Sequence, residues 1–264
     1  MPPRRNCYSA IVDGVSVLER FDEELRNDPP PEAGTRFETV GGVVRAIGHY
    51  AWIIYSKLSE ASADRAIAEQ VAYFTSLGQE VEWKVYGHDR PPDLGARLAA
   101  HGFEAGETET LMAFDLGWDM PPAVHHPDIE IRRVRDDAGL NDLIAVSSEA
   151  FGRDPSRIAA LSRARLHDPT LGLFVAYADG EPAAAGRLEM PPGRSFAGLW
   201  GSGTRPAFRG RGIYRALVAA RAREAKRLGF RYLNTDARDT SRPILERLGF
   251  VPVTTITAWI LQPL

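Results

Sequence analysis

The chain has one cysteine, Cys7, among its 264 residues. A lone thiol excludes an internal disulfide framework and a cysteine-rich metal site, and it fits a reducing compartment. The six histidines form no His-x-x-x-His pair and no Cys-x-x-Cys occurs, so no metal is expected. His125-His126 stand adjacent between prolines and read as part of a connector. Long apolar runs are missing too. No stretch approaches the roughly 18 residues of a membrane span, and the start Met-Pro-Pro-Arg-Arg-Asn lacks the apolar core of a secretory signal. The expectation is a cytoplasmic protein without a membrane partner. Excess positive charge is also absent. Lys plus Arg number 32 against 35 Asp plus Glu, a net charge of −3, which removes the uncompensated cationic surface that a nucleic-acid binder needs. Lysine is scarce beside arginine and Ala, Gly and Pro are abundant, the composition of a GC-rich bacterial genome.

What is present is ordinary for packed domains, 44% hydrophobic and 25% charged residues, with length for two modest cores. One stretch stands out, Leu199-Trp-Gly-Ser-Gly-Thr-Arg-Pro-Ala-Phe-Arg-Gly-Arg-Gly-Ile-Tyr-Arg-Ala-Leu217. It reads as a strand, a glycine loop and the first turn of a helix. Pro206 ends the strand because it has no N–H for a ladder. Gly210 and Gly212 allow left-handed backbone or close approach. Ile213 and Tyr214 open a helix with Leu217, Val218, Ala222, Ala225 and Leu228 on one side and Arg215, Arg223, Lys226 and Arg227 on the other. Arg221 falls inside the apolar arc and is expected to pack its stem on the core with its head snorkelling to water. The loop amides and the unpaired N–H groups of the helix start form an anion site, to which Arg209 and Arg211 add full charges. The ligand so implied is a pyrophosphate. The spacing meets neither the nucleotide-triphosphate nor the dinucleotide fingerprint.

Pro-x-x-Arg-Gly-x-Gly followed by a helix resembles the acyl-CoA loop of the GNAT N-acetyltransferase superfamily. The order after it agrees with that family. A helix is closed by Gly229, a strand runs over about Phe230 to Thr235, and a short helix from Ser241 to Leu248 ends at Gly249-Phe250 before a last strand. The resemblance covers about residues 129 to 264. It implies acetyl-CoA as co-substrate, held by Gly203, Thr204, Arg209, Gly210, Arg211, Gly212, Ile213 and Tyr214, with the pantothenate arm lying along the strand from Trp200 to Thr204 like an added strand. Two departures are visible. Ala207 stands where the family pattern has a basic residue, and Tyr214 stands where members often carry a small one.

The N-terminal half repeats the pattern. Asp89, Leu98, Gly102, Phe103, Thr108 and Thr110 each lie 147 positions before Asp236, Leu245, Gly249, Phe250, Thr255 and Thr257. That makes six identities over the 28 positions from Trp83 to Thr110, against roughly two by chance, and points to a diverged internal duplication. The counterpart of the glycine loop is Leu58-Ser-Glu-Ala61, with a carboxylate where a phosphate would sit. The expected architecture is therefore α/β (α+β), two GNAT-like mixed-sheet domains in tandem with helices on both sheet faces. Residues 1–116 form a degenerate domain without the pyrophosphate loop, 117–127 a proline-rich linker, and 128–264 the acyl-CoA-binding domain.

The resemblance implies attack of a primary amine, of a small molecule or a protein, on the thioester. Such an enzyme takes a proton from an ammonium, steadies an oxyanion and protonates a thiolate. The tyrosine that the superfamily often uses as thiol-side acid is replaced by Leu245. Candidate catalytic residues are Glu189 as base at the end of the third strand of the half, Ser202 beside the thioester, and Asp236, which reads equally as a strand-end or capping residue; Glu149 is a further carboxylate. Two other readings stay open here, a catalytically silent acyl-CoA sensor and a phosphate-binding protein of unrelated fold. Nothing in the sequence separates a monomer from a homodimer.

Overall fold

The computed structural model describes residues 11–12, 15–48, 50–120, 128–152, 154 and 156–263; Cys7, His125-His126 and positions 121–127 of the expected linker lie outside them. The chain divides into two compact units. Unit 1 takes Met1–Met112 together with Asp236–Arg242 and Pro252–Leu264, and unit 2 takes Ala113–Thr235 with Pro243–Val251. The division thus differs from one drawn through the 117–127 connector, because two C-terminal segments pack with the N-terminal half.

Unit 1 opens with an antiparallel pair, β1 (Ile11–Val12) and β2 (Val15–Ser16). Helix α1 (Val17–Phe21) starts on a capping box, in which Ser16 Oγ accepts the Glu19 N–H at 3.1 Å and Glu19 accepts the Ser16 N–H at 2.9 Å. The helix then passes into a π-helical turn, Asp22–Asn27. The cause is visible at Arg26, 1% exposed. Its head bonds both Asp89 carboxylate oxygens at 2.8 Å and the Ile54 carbonyl at 2.9 Å, over the face of Tyr86 at 3.7 Å.

The unit continues through β3 (Arg36–Val40), β4 (Val43–Ile47), β5 (Ala51–Ser56), α2 (Glu60–Ser76), β6 (Val81–Tyr86), α3 (Leu94–Ala100) and β7 (Glu104–Asp115). The Gly41-Gly42 turn joins β3 and β4 as the sequence suggests. Helix α2 buries Ala63, Ala66, Ile67, Gln70 and Phe74, one face at helical spacing. Ile67 and Phe74 pack with Ile53, Trp83 and Leu98, all fully buried, each stabilising by about 1.5–3 kcal/mol relative to exposure.

Unit 2 contains β8 (Ile129–Arg133), α4 (Asp137–Phe151), α5 (Ser156–Ala164), β9 (Leu171–Ala178), β10 (Glu181–Glu189), β11 (Phe196–Thr204) and α6 (Ile213–Arg227). It also holds most of β12 (Tyr232–Ala237) and of α7 (Arg242–Arg247), after which β13 (Val251–Leu261) closes the chain. Asp136 caps α4 by accepting the Gly139 N–H, as its sequence position predicts. The strands run in the order β12-β11-β10-β9-β8, with β11 parallel to β12 and the other pairs antiparallel. Side-chain alternation puts α4 and α6 on opposite faces. Leu140, Leu143 and Val146 of α4 pack with Leu171, Leu173, Val175 and Ala185, whereas Arg221 of α6 lies against Gly186.

In unit 1 the order is β3-β4-β5-β6-β13-β7. Strand β13 pairs antiparallel with β6, Ile256 opposite Tyr86 through Leu261 opposite Val81. The fold class is the mixed α/β one expected. Strands β7, β12 and β13 each divide their residues between the two units.

Candidate functional site

The site is built where β11 gives way to α6. The parallel pairing of β11 with β12 runs from Phe196–Tyr232 to Gly198–Asn234 and stops, with the Thr235 hydroxyl donating to the Leu199 carbonyl at 2.7 Å. From Trp200 to Thr204 the strand is paired to β10 alone, through a bulge that sets Gly201 and Ser202 opposite the single residue Gly186. Gly201 has φ +57°, and Gly203 admits α4 so closely that a Cβ there would lie 2.7 Å from the Ala150 methyl. Asn234, 2% exposed, is left with an amide oxygen that has no partner among the described residues.

Beyond Thr204 the Arg205 N–H bonds the Ala183 carbonyl at 2.9 Å, Pro206–Phe208 make one tight turn, and buried Phe208 pins it. Gly210 and Gly212 then take φ +77° and +79°, which L side chains adopt at a cost, so the loop requires them. The first helical bond of α6 runs from the Ala216 N–H to the Gly212 carbonyl at 3.1 Å. The main-chain N–H groups of Gly210, Gly212, Ile213, Tyr214 and Arg215 reach no acceptor among the described residues, and no side chain caps the helix, whereas Arg211 closes the turn over Arg209-Gly210. Free donors at the positive end of a 15-residue helix favour an anion. The matching start of α2 differs. There Ser62 Oγ accepts the Ser59 N–H at 2.9 Å, a side-chain bond that α6 lacks, while the first helical bond, Ala63 N–H to the Ser59 carbonyl at 3.0 Å, is the counterpart of that in α6.

Arg209 and Arg211 are both exposed on the loop. Arg209 donates from Nε to the Thr204 carbonyl at 3.2 Å, and Arg211 to Asp179, in the β9–β10 turn, at 2.8 Å. One turn into the helix, Arg215 carries a buried Nε with no partner among the described residues, a feature the alternation of charges along α6 did not single out.

The three catalytic candidates are not gathered on one face. Glu189 ends β10 opposite Gly198, on the α4 face, 4.0 Å from Arg187 Nε, both side chains partly open to solvent. Ser202 lies on the α6 face, where its hydroxyl and the Arg221 guanidinium approach Gly186. Asp236 is bonded by Lys84 at 3.1 Å, and the Asp236 carboxylate raises the Lys84 ammonium above its ordinary pKa against the opposing effect of burial. Its duplicate Asp89 is likewise held in a buried ion pair, with Arg26. Glu149 is bound by Arg205 at 2.6 Å. Leu245, 1% exposed, offers no hydroxyl where the thiol-side tyrosine was sought.

Arg221 departs from expectation. Its head does not snorkel but is fully buried, with Nε on the Leu217 carbonyl at 3.2 Å and Nη1 on the Arg187 carbonyl at 2.9 Å. Gly186 makes this possible, because a Cβ there would stand 2.7 Å from Arg221 Nη1. Among the described residues no group of three His, Cys, Asp or Glu is placed to hold a metal, and no helix is long and apolar enough to cross a membrane.

Residues 139–250 match the Acetyltransferase (GNAT) family, and the chain carries a domain of that family there. Similar folds occur in a GCN5-related N-acetyltransferase from Kribbella flavida (18% identity, TM-score 0.69, 86% of this chain and 89% of that one). A functionally unknown conserved protein from Staphylococcus epidermidis (16%, 0.69, 92% and 98%) is similar as well. So is a tandem GNAT protein from the clavulanic acid biosynthesis pathway (15%, 0.63, 88% and 84%). No curated protein sequence matches the chain.

Proposed function

We propose that unit 2 binds one acyl-CoA per chain, acetyl-CoA in the simplest case, and transfers its acyl group to a primary amine of a small molecule or a protein. The observation that carries this reading is the set of unbonded amides at Gly210, Gly212, Ile213, Tyr214 and Arg215, which suits a diphosphate. The orphaned Asn234 oxygen, and the end of the β12 pairing at Gly198, suit an amide-bearing arm laid along the strand. In this reading Gly203, Thr204, Arg209, Gly210, Arg211, Gly212, Ile213 and Tyr214 hold the co-substrate.

Glu189 serves as base, directly or through water, taking the proton that an ammonium must lose before its nitrogen attacks the thioester carbon. Main-chain donors at the Gly201-Ser202 bulge steady the oxyanion, and the Ser202 hydroxyl stands beside the thioester. Asp236, engaged by Lys84, is the weaker candidate. Unit 1 is read as a copy that keeps the fold and binds no CoA, because Leu58-Ser-Glu-Ala61 has no glycine and carries a carboxylate where a phosphate would sit. The setting in this reading is the bacterial cytoplasm.

Thiol release measured over an amine panel tests transfer. Turnover with at least one amine is expected, and Glu189→Gln should lower kcat by about 10²–10⁴-fold near neutral pH, the usual scale of a lost general base. Full activity of Glu189→Gln would remove that residue from the mechanism. CoA binding without turnover on any amine would leave a binding module.

A further inference from the structure

Arg221 is a full positive charge, with no exposed surface, that no carboxylate accompanies among the described residues. Its partners are two main-chain carbonyls, and its Nη2 has none among the described residues. The ionisable groups around it make the imbalance worse. Arg187 is a second cation, and Tyr214, seven residues earlier on the same face of α6, is kept neutral by burial. Burial, reinforced by Arg187 and opposed by Tyr214, pushes the guanidinium down to about 10, which still leaves it charged at neutral pH. A buried cation is costly unless an anion meets it. The chain nonetheless makes room for this one by omitting a side chain at Gly186, where Ser202 Oγ lies 3.2 Å from the position a Cβ would take and Arg221 Nη1 2.7 Å.

The diphosphate cannot be the missing anion. Eight residues of helix separate Ile213 from Arg221, about 12 Å along the axis. The charge belongs instead at the β11 bulge, beside Ser202. We infer that Arg221 receives a carboxylate at the far end of the donor's acyl chain, so that the preferred donors are CoA thioesters of short dicarboxylic acids. This rests on unit 2 binding acyl-CoA as proposed above. The acyl chain passes the Ser202 hydroxyl, and its carboxylate accepts hydrogen bonds from Arg221 Nη2, forming inside the protein the ion pair that the polypeptide lacks.

Two stable thioethers of equal length test it by calorimetry with the full chain, S-(3-carboxypropyl)-CoA and S-butyl-CoA, with CoA itself as reference. The carboxylated compound is expected to bind about tenfold or more tighter than the butyl one, the scale of a hydrogen bond to a charged group. Arg221→Met is expected to abolish the difference while both compounds still bind, and Arg221→Lys to keep part of it. Should Arg221→Met not fold, the wild-type comparison and Arg221→Lys decide. Equal affinities in the wild type overturn the inference, as does a preference that survives in Arg221→Met. If CoA matches the carboxylated compound and both exceed the butyl one, the anion is the thiolate and the inference fails. Failure of all three ligands to bind overturns the acyl-CoA reading itself, a separate outcome.

Discussion

Single residues carry most of the chemistry of this chain, and several do so through charge placed inside it. Asp22 shows how such placement sets stability. Burial raises its carboxyl, but the hydrogen bond with His88 at 2.8 Å and the charge of Arg26 outweigh that and hold it below the usual 3.8. The folded state therefore favours the ionised form. The stability it adds is fully present above the unfolded value and is lost as pH falls through the lower, folded one. Urea midpoints between pH 5 and 2 should thus fall more steeply for the wild type than for Asp22→Asn, and parallel curves would show that Asp22 contributes nothing. The positive φ of Gly210 and Gly212 was legible in the sequence because a glycine loop between strand and helix is a local signal. Arg221 was not. Whether an arginine in an apolar arc snorkels or sinks depends on the space left by Gly186, a glycine on another strand that helical periodicity does not report.

Elements explain how these residues are aimed. Helix α4 lies against the end of β11 where Gly203 has no side chain, and this approach fixes the strand that leads into the glycine loop. Gly203→Ala puts a methyl 2.7 Å from the Ala150 Cβ and should destabilise unit 2 by about 1–3 kcal/mol in urea unfolding, through overpacking. An unchanged midpoint would mean that α4 moves aside at no cost. The strand and helix series was readable from periodicity and punctuation. Gly229 after α6 and Gly249 after α7 stand where the sequence put them, both at positive φ. The π-helical turn at Asp22–Asn27 was not readable, because it is set by Asp89, 63 residues from Arg26 along the chain.

At the scale of the whole molecule, the partition of the chain was the least legible feature. Strand β13 has the alternation of any last strand, but its partner β6 is fixed by tertiary pairing, Trp259 opposite Trp83, and no local signal distinguishes that partner from another. Removing Pro252–Leu264 should therefore unfold unit 1, exposing Trp83 and Lys84 to a rapid rise in protease cleavage around β6; a unit 1 that stays resistant would contradict the pairing. The central claim is that the turn from Gly210 to Arg215 is a seat for the CoA diphosphate, present once in the chain. Calorimetric titration of CoA into the full-length protein and into Arg209→Glu tests it most directly. The account predicts one CoA per chain and an affinity lower by about 1.5–3 kcal/mol in the variant. No heat at millimolar CoA, two sites per chain, or an identical dissociation constant in Arg209→Glu would contradict it.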